Sequence, residues 1–173
     1  MQQPVDISIV IPLLNEEESI LSLNSWIFKV LKTESFSFEI IYIDDGSTDL
    51  SWNTIVGLSK KNQNVRGIRF AKNFGKSQAL HAGFKSAKGK YVVTLDADLQ
   101  DSPDEIPKLI KNLNQGGYDL ISGWKKKRFD SFFFKNLPSK LFNWAARRVS
   151  GIKLNDFNCG IKIYRHEVIK NID

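Results

Sequence analysis

Apolar residues occur along the chain in two patterns, short continuous runs and stretches with helical spacing. Four runs rich in β-branched residues predict buried strands at 7–14, 38–43, 65–70 and 90–95, and a fifth strand is predicted at 118–122. Continuous apolar runs are typical of strands that are covered on both faces, as in parallel sheets.

Between the runs, apolar residues recur every three or four positions, as expected for amphipathic helices. Helices are predicted over 16–32, from after residue 49 to about 61, over 77–87 and over 103–114. Because strands and helices alternate, the pattern predicts an α/β fold with a mostly parallel sheet and helices on both faces. After residue 123 the pattern changes to a basic loop and a further helix at about 137–150.

Composition indicates one globular domain over 1–173, since 42% of the residues are hydrophobic and 25% are charged. The net charge is +6, and its excess is concentrated between 125 and 148. Such a segment favours an anionic partner, namely phosphate, nucleic acid or an anionic membrane surface. A single cysteine, Cys159, excludes an internal disulfide and fits a reducing compartment. Neither a signal peptide nor a membrane-spanning run is predicted.

Three carboxylates, Asp96, Asp98 and Asp101, follow the fourth run. Carboxylates that converge repel each other unless a cation lies between them. Open α/β sheets bind ligands at the carboxyl ends of their strands, which favours a metal site. The alternative is a solvated acidic loop in which Asp101 or Ser102 caps the next helix.

Two other strand ends carry candidate binding groups. Asp44 and Asp45 are suited to accept hydrogen bonds from a nucleoside. The alternative is a turn in which their carboxylates accept hydrogen bonds from nearby backbone N–H groups. The loop from Lys72 to Lys76 suits a phosphate, with an ordinary basic loop as the alternative. No Gly-x-Gly-x-x-Gly follows the first run, which argues against a dinucleotide cofactor.

The helix predicted at 137–150 has an apolar side and a basic side, and three phenylalanines at 132–134 precede it. It either packs on the domain or lies at a membrane interface with its basic residues near lipid phosphates. His81 and Cys159 lack metal-ligand spacing and are predicted to be structural.

Four motifs occur in order at the predicted strand ends: Pro12-x-x-Asn15-Glu16, Asp44-Asp45-Gly-Ser-Thr-Asp49, Asn73-Phe-Gly-Lys76 and Asp96-Ala-Asp-Leu-Gln-Asp101. Together they resemble the family 2 inverting glycosyltransferases, whose GT-A fold is Rossmann-like. The resemblance is closest to the polyprenyl-phosphate branch, which includes dolichyl-phosphate mannose synthase and bactoprenol glucosyltransferases. The segment from Asp156 to Arg165 resembles the part of that branch after the acceptor loop.

The resemblance implies a set of roles for individual residues. Those implied to bind the nucleoside diphosphate sugar (UDP or GDP) are Pro12, Glu16, Asp44, Asp45, Gly75, Lys76 and Asp96. Those implied to hold Mg²⁺ or Mn²⁺ are Asp96, Asp98 and Gln100. Asp98 and Asp156 are the implied catalytic residues, with Asp156 as a base or orienting group. Those implied to bind an acceptor phosphate are Lys125 or Arg128, Lys135 and Ser139.

The implied reaction is direct displacement at the anomeric carbon, with a polyprenyl phosphate as acceptor. A phosphate monoester is largely ionised at neutral pH, so it needs cationic positioning more than a base. The branch usually has arginine at the basic acceptor positions, so Lys125 and Lys135 are a departure. The nucleotide-binding part is predicted at 1–101 and the acceptor part at 102–173, in a cytoplasmic protein peripheral to the membrane. Branch members commonly continue into membrane helices, so a truncated chain and a soluble relative both remain open.

Other functions explain the pattern less fully. A glycosyltransferase acting on a saccharide hydroxyl uses the same donor site but needs a base for its acceptor. A sugar-phosphate nucleotidyltransferase needs a glycine-rich loop after the first strand, where this chain has Pro12-Leu-Leu-Asn-Glu16. A nucleic-acid-binding module accounts for the charge of +6 but not for the acidic clusters, so no nucleic acid partner is expected.

Overall fold

The computed structural model describes residues 4–124 and 159–170. Its strands are β1 (Ile7–Leu13), β2 (Phe38–Asp44), β3 (Val65–Arg69), β4 (Tyr91–Thr94), β5 (Leu120–Ser122) and β6 (Lys162–Arg165). Its helices are α1 (Ile20–Thr33), α2 (Ser51–Lys61), α3 (Lys76–Ser86), α4 (Ile106–Gln115) and α5 (His166–Ile169), and a 3₁₀ turn at Pro103–Glu105 precedes α4. The basic loop and helix predicted after residue 124 lie outside the described residues.

The six strands form one sheet in the order β3-β2-β1-β4-β6-β5. The first four strands pair in parallel. Strand β6 is antiparallel to both β4 and β5, so β5 runs in the same direction as β4. The predicted α/β fold with a mostly parallel sheet is therefore confirmed, whereas β6 was not predicted.

Helices cover both faces of the sheet. The side chains of each strand alternate between the two faces, so both faces carry apolar residues that pack against helices. Ile9 and Ile11 of β1 belong to the larger core, which α1, α2 and α4 complete. Val10 of β1 and Ile41 of β2 point the other way and pack with α3 and α5. The continuous apolar runs thus predicted the burial of the central strands correctly. Within 4–124 and 159–170, no helix combines the length and apolarity needed to cross a bilayer.

Helix α1 begins at Ile20, four residues later than predicted. The preceding turn is held by bonds to the segment after β2: Glu16 N donates to Ser51 Oγ at 2.9 Å, and Glu17 N donates to Asp49 Oδ2 at 3.1 Å. Those backbone groups are therefore engaged in long-range contacts and do not continue a helix. These bonds also fix the first motif against the second.

Near the start of β2, Glu39 is a buried carboxylate with several hydrogen-bond partners. It accepts hydrogen bonds from Ser8 Oγ at 2.6 Å, from Lys88 N at 2.8 Å and from Arg66 Nε at 3.0 Å. A buried carboxylate is tolerated only when its oxygens are satisfied in this way. This network joins β1, β2, β3 and the end of α3.

Replacing Glu39 with alanine is expected to lower the free energy of unfolding by about 3 kcal/mol, because the buried Ser8 hydroxyl and two part-buried donors, Lys88 N and Arg66 Nε, lose their acceptor. For a chain of 173 residues this corresponds to a fall in Tm of roughly 6–12 °C. Thermal unfolding measures it, with the exposed Glu18→Ala as the control, which is expected to change stability by less than about 0.5 kcal/mol. Equal Tm values for the two variants would contradict the structural role of Glu39.

Candidate functional site

The loops after β1 and β2, the start of α3 and the turn after β4 meet at the carboxyl edge of the sheet. They enclose a cavity of about 290 Å³. The lining residues are Pro12, Leu13, Leu14, Glu16, Asp45, Asn73, Gly75, Lys76, Ala79, Asp96, Ala97 and Asp98. Four of the predicted motifs therefore contribute to one cavity, at the edge where open α/β sheets bind ligands.

Asp45 joins the end of β2 to the loop that precedes α3. Its carboxylate accepts hydrogen bonds from Phe74 N at 2.8 Å and from Gly75 N at 2.9 Å. Gly75 has a φ of 95°, a conformation that favours glycine, and α3 begins at the next residue. Asp45 thereby holds the loop in place while its remaining acceptor capacity faces the cavity.

Asp44 occupies a different environment from Asp45. It is fully buried, accepts a hydrogen bond from Ser47 N at 2.8 Å and lies 3.4 Å from Arg69 Nε. It is not among the residues that line the cavity. Successive residues at a strand end point to opposite faces, so the two neighbouring aspartates are separated. The structure gives Asp44 a role in fixing the turn, and its predicted contact with a nucleoside is not supported by this placement.

The first motif is fixed against the second by short polar contacts. Asn15 has a φ of 56°, its N–H donates to Ser47 Oγ at 2.9 Å, and its Oδ1 accepts from Thr48 N at 2.9 Å. The adjacent Glu16 carboxylate accepts from Ser19 Oγ at 3.0 Å and lines the cavity. These contacts place Pro12 and Glu16 beside Asp45.

The acidic turn begins two residues after β4 ends at Thr94. Leu99 has a φ of 61°, and Gln100 N donates to Asp98 Oδ1 at 3.1 Å. Asp96 and Asp98 both line the cavity, whereas Gln100 does not. The turn thus brings the two carboxylates to one volume.

The structure does not show the alternative arrangement, in which the side chain of Asp101 or Ser102 caps the next helix. Ser102 precedes the 3₁₀ turn without a side-chain bond to its backbone, and its hydroxyl donates to Asp104 Oδ2 at 3.0 Å. Asp101 is buried, with Cys159 Sγ at 4.0 Å from its Oδ1. The two residues proposed as caps are therefore engaged elsewhere.

The chemistry of this donor set fits a hard divalent cation. Two carboxylates supply oxygen ligands, and Mg²⁺ is commonly held by one or two carboxylates together with substrate phosphates. In the described parts of the chain, no group of three or more His, Cys, Asp or Glu residues is arranged to hold a metal. A cation held by Asp96 and Asp98 therefore needs further oxygens, which other residues, water or a bound ligand can supply.

Lys76 approaches the same turn from the first residue of α3. Its Nζ lies 2.5 Å from Asp96 Oδ1, with 55% of the lysine side chain and 25% of the aspartate side chain exposed. The lysine thus adds a positive charge to the wall between the loop before α3 and the acidic turn. This location suits contact with an anionic group of a ligand.

A second cavity of about 330 Å³ lies on the β6 side of Asp96. Its lining residues are Lys76, Leu80, Thr94, Asp96, Cys159, Gly160, Lys162 and Tyr164. Burial raises the pKa of Tyr164 to about 12, so its hydroxyl stays protonated at neutral pH. Lys76 and Asp96 line both cavities and form the boundary between them.

Sequence reasoning did not identify Lys162 and Tyr164 as residues of a cavity. They lie on β6. They alternate with Ile161, which directly precedes the strand, and with Ile163, and these two isoleucines belong to the larger core. That alternation of apolar and polar positions is the signal of a half-buried strand. The run is only four residues long, and its partner strands lie far away in sequence.

Five other predicted site residues lie outside the described residues. They are Asp156, Lys125, Arg128, Lys135 and Ser139. The predicted catalytic base and acceptor-phosphate group therefore stay predictions. The structure brings most of the predicted donor-side and metal residues to one cavity, namely Pro12, Glu16, Asp45, Gly75, Lys76, Asp96 and Asp98. Asp44 and Gln100 do not line it, and the roles of all these residues stay predictions.

Solved structures with the same fold include glycosyltransferases. Glucosyl-3-phosphoglycerate synthase from Mycobacterium tuberculosis, solved with Mn²⁺, UDP-glucose and phosphoglyceric acid, matches with a TM-score of 0.71 and 22% identity, over 95% of this chain and 57% of that one. A mannosyltransferase from Pyrobaculum calidifontis, solved with GDP-mannose and Mn²⁺, matches with a TM-score of 0.70 and 18% identity, over 96% of this chain and 46% of that one. The chain thus has the GT-A fold of glycosyltransferases.

Sequence comparison narrows this class to one family. The family model described as glycosyl transferase family 2 matches residues 8–173, and the chain belongs to that family. The dodecaprenyl-phosphate galacturonate synthase of Rhizobium johnstonii is 34% identical over 98% of this chain and 51% of its own length. The undecaprenyl-phosphate 4-deoxy-4-formamido-L-arabinose transferase of Shewanella sediminis is 38% identical over 95% of this chain and 49% of its own length. The chain spans about half the length of these curated relatives.

Proposed function

We propose that this chain is the catalytic part of an inverting glycosyltransferase that moves a sugar from a nucleoside diphosphate to a polyprenyl phosphate. The observation that carries the proposal is the convergence of Asp45, Lys76, Asp96 and Asp98 on one cavity. This arrangement offers acceptors for a nucleoside at one end and charged groups for a diphosphate at the other. Membership of glycosyl transferase family 2 supports the same reaction class.

The donor would lie along the carboxyl edge of the sheet. The nucleoside contacts Asp45 and Glu16, and the diphosphate lies between Lys76 and the acidic turn. Asp96, Asp98 and Gln100 hold Mg²⁺ or Mn²⁺ together with diphosphate oxygens. When bound, the cation supplies Lewis-acid stabilisation of the negative charge on the leaving diphosphate. Two solved structures of this fold contain Mn²⁺ with UDP-glucose or GDP-mannose, which supports both the donor class and the metal.

The transferred sugar extends past Asp96 into the second cavity. That cavity adjoins the donor cavity at their shared residues Lys76 and Asp96, and its volume of about 330 Å³ lies in the range of small-molecule sites. Tyr164 stays protonated there, so it serves as a hydrogen-bond donor to the sugar and not as a base.

The acceptor proposal rests on the relatives' shared chemistry. Both curated relatives named above act with a polyprenyl phosphate, while their sugars differ, so the acceptor class is better supported than the sugar. Lys125, Arg128, Lys135 and Ser139 bind the acceptor phosphate, and Asp156 orients it or accepts a proton. The basic segment between 125 and 148 would keep the protein at the cytoplasmic membrane surface.

Nucleotide-dependent thermal stabilisation tests the donor site. UDP-sugars or GDP-sugars at a hundred times Kd are expected to raise the unfolding free energy by about 2.7 kcal/mol in the presence of Mn²⁺. At the same nucleotide concentration the gain should be smaller with EDTA, because EDTA removes the cation that would link the diphosphate to the two carboxylates. A chain that no UDP- or GDP-sugar stabilises, with or without Mn²⁺, would not be a nucleotide-sugar enzyme.

Vesicle co-sedimentation tests the acceptor side separately. Anionic vesicles that contain polyprenyl phosphate are expected to bind the protein more tightly than vesicles of equal charge without it. Added salt should weaken the general electrostatic part of the binding through screening. Equal binding to both kinds of vesicle would leave the donor proposal intact and remove the lipid acceptor.

A further inference from the structure

Lys76 lies against a carboxylate that a divalent cation between Asp96 and Asp98 would also contact. The lysine Nζ lies 2.5 Å from Asp96 Oδ1, and Asp96 lines the cavity together with Asp98. We propose that Lys76 competes with the cation for Asp96 and, when the cation binds, moves its ammonium group to an oxyanion of the nucleotide. This inference rests on the proposed function, since it takes Asp96 as a metal ligand.

The carboxylate of Asp96 is held from the side opposite Lys76. A methyl group added to Gly160 would lie 2.5 Å from Asp96 Oδ2, so the backbone at Gly160 packs directly against this carboxylate. Gly160 is itself anchored, because its carbonyl accepts a buried hydrogen bond from Thr94 Oγ1 at 2.7 Å. The contact with Gly160 therefore restricts the movement of Asp96 away from Lys76 on that side.

The lysine is the partner that is free to move. Its side chain is 55% exposed, compared with 25% for Asp96, and it is a flexible four-carbon stem that carries a point charge. Lys76 lines both cavities, so rotation of its side chain reaches either of them without a change in α3. Two like charges at one oxygen repel each other, which drives the ammonium group away as the cation arrives.

The competition makes the binding of cation and nucleotide cooperative. A cation alone must displace Lys76 and leave its ammonium group without a carboxylate partner. A cation that arrives with a diphosphate supplies the displaced lysine with a new oxyanion. Because coupling between two ligands is reciprocal, the nucleotide raises the affinity for the cation by the same factor as the cation raises the affinity for the nucleotide.

The test measures Mn²⁺ binding to the whole chain by calorimetry or by electron paramagnetic resonance, first without nucleotide. Lys76→Met is expected to bind Mn²⁺ about three- to tenfold more tightly than the native chain, because a partly exposed ion pair is lost together with a local repulsion. In the presence of UDP the same variant should gain less Mn²⁺ affinity than the native chain, since the relocated ammonium group is missing. The variant should thus bind Mn²⁺ more tightly without UDP and gain less Mn²⁺ affinity when UDP is added. General destabilisation of the fold would not produce this combination.

Two variants serve as controls. Lys85→Met removes an exposed lysine from the same helix, about 13 Å away at 1.5 Å per residue, and is expected to leave Mn²⁺ affinity unchanged. Lys76→Arg keeps the charge and should bind Mn²⁺ alone nearly as weakly as the native chain. Comparison of Tm values establishes that the variants are folded.

The results separate this inference from the proposed function. If Asp98→Asn abolishes Mn²⁺ binding while Lys76→Met leaves it unchanged or weakens it, the competition is wrong and the metal site stands. If neither Mn²⁺ nor UDP binds the native chain, the proposed function fails first. Tighter binding by Lys76→Met, with reduced coupling to UDP, supports the competition.

Discussion

Asp98→Asn is expected to reduce sugar transfer by at least about a hundredfold and to remove the Mn²⁺-dependent part of nucleotide binding. Asp96 and Asp98 are the two carboxylates of the acidic turn that line the cavity, so the substitution removes half of the negative charge that this turn offers to the cation. An amide of nearly equal size keeps the shape of the turn but is a weaker ligand. Asp98 is exposed, so the fold should keep its stability. Release of the nucleoside diphosphate, with polyprenyl phosphate as the acceptor, measures the rate.

The control for this variant is Asp119→Asn, the same chemical change at a distant exposed site. Among the described residues Asp119 has a long ion pair with Arg165 at 3.9 Å, and it does not line either described cavity. It is expected to transfer sugar at the native rate. Retention of Mn²⁺-dependent activity by Asp98→Asn, at a rate close to that of the control, would overturn the assignment of the acidic turn as the metal site.

Strands β1, β2 and β4 were predictable because a parallel sheet covered on both faces requires continuous apolar runs, whereas β3 is a half-buried edge strand with a mixed sequence. The position of the site followed from the same topology, since parallel strands carry their carboxyl ends to one edge. The boundaries were less accurate where long-range polar contacts compete with helix formation, as in the turn before Ile20. The strand β6 was missed because it is short and pairs with distant segments.

Which residues reach the cavity was harder to predict than where the cavity lies. Asp44 and Asp45 are adjacent in sequence and look equivalent there, yet the strand turns one into the protein interior and the other to the loop before α3. The ion pair between Lys76 and Asp96 joins two motifs twenty residues apart. A sequence motif names both partners but does not specify a contact that depends on how α3 packs against the sheet.

The close packing at Gly160 could not be predicted from the sequence either. Gly160 entered there only as part of the segment from Asp156 to Arg165 that resembles the polyprenyl-phosphate branch. Gly160→Ala is expected to weaken binding of Mn²⁺ with nucleotide by about tenfold or more, since displacement of a positioned group by about 1 Å is costly. The added methyl group would lie 2.5 Å from Asp96 Oδ2 and 2.4 Å from Asp101 Oδ2. Overpacking also lowers stability by about 1–3 kcal/mol. Calorimetry with Mn²⁺ and UDP measures the first effect, and thermal unfolding measures the second.

Two other glycines separate displacement of Asp96 from general overpacking. Gly57→Ala adds the same methyl group within α2, where no atom lies within 4 Å, and should stabilise the fold by about 0.5–1 kcal/mol. Gly67→Ala on β3 places its methyl group 2.6 Å from Ile55 Cγ2, a comparable clash that lies three strands away from β4 and the acidic turn. Both Gly67→Ala and Gly160→Ala should lower Tm, but only Gly160→Ala should lose affinity for Mn²⁺ with nucleotide. Equal affinity in these two variants would show that Gly160 supports the fold and does not position Asp96.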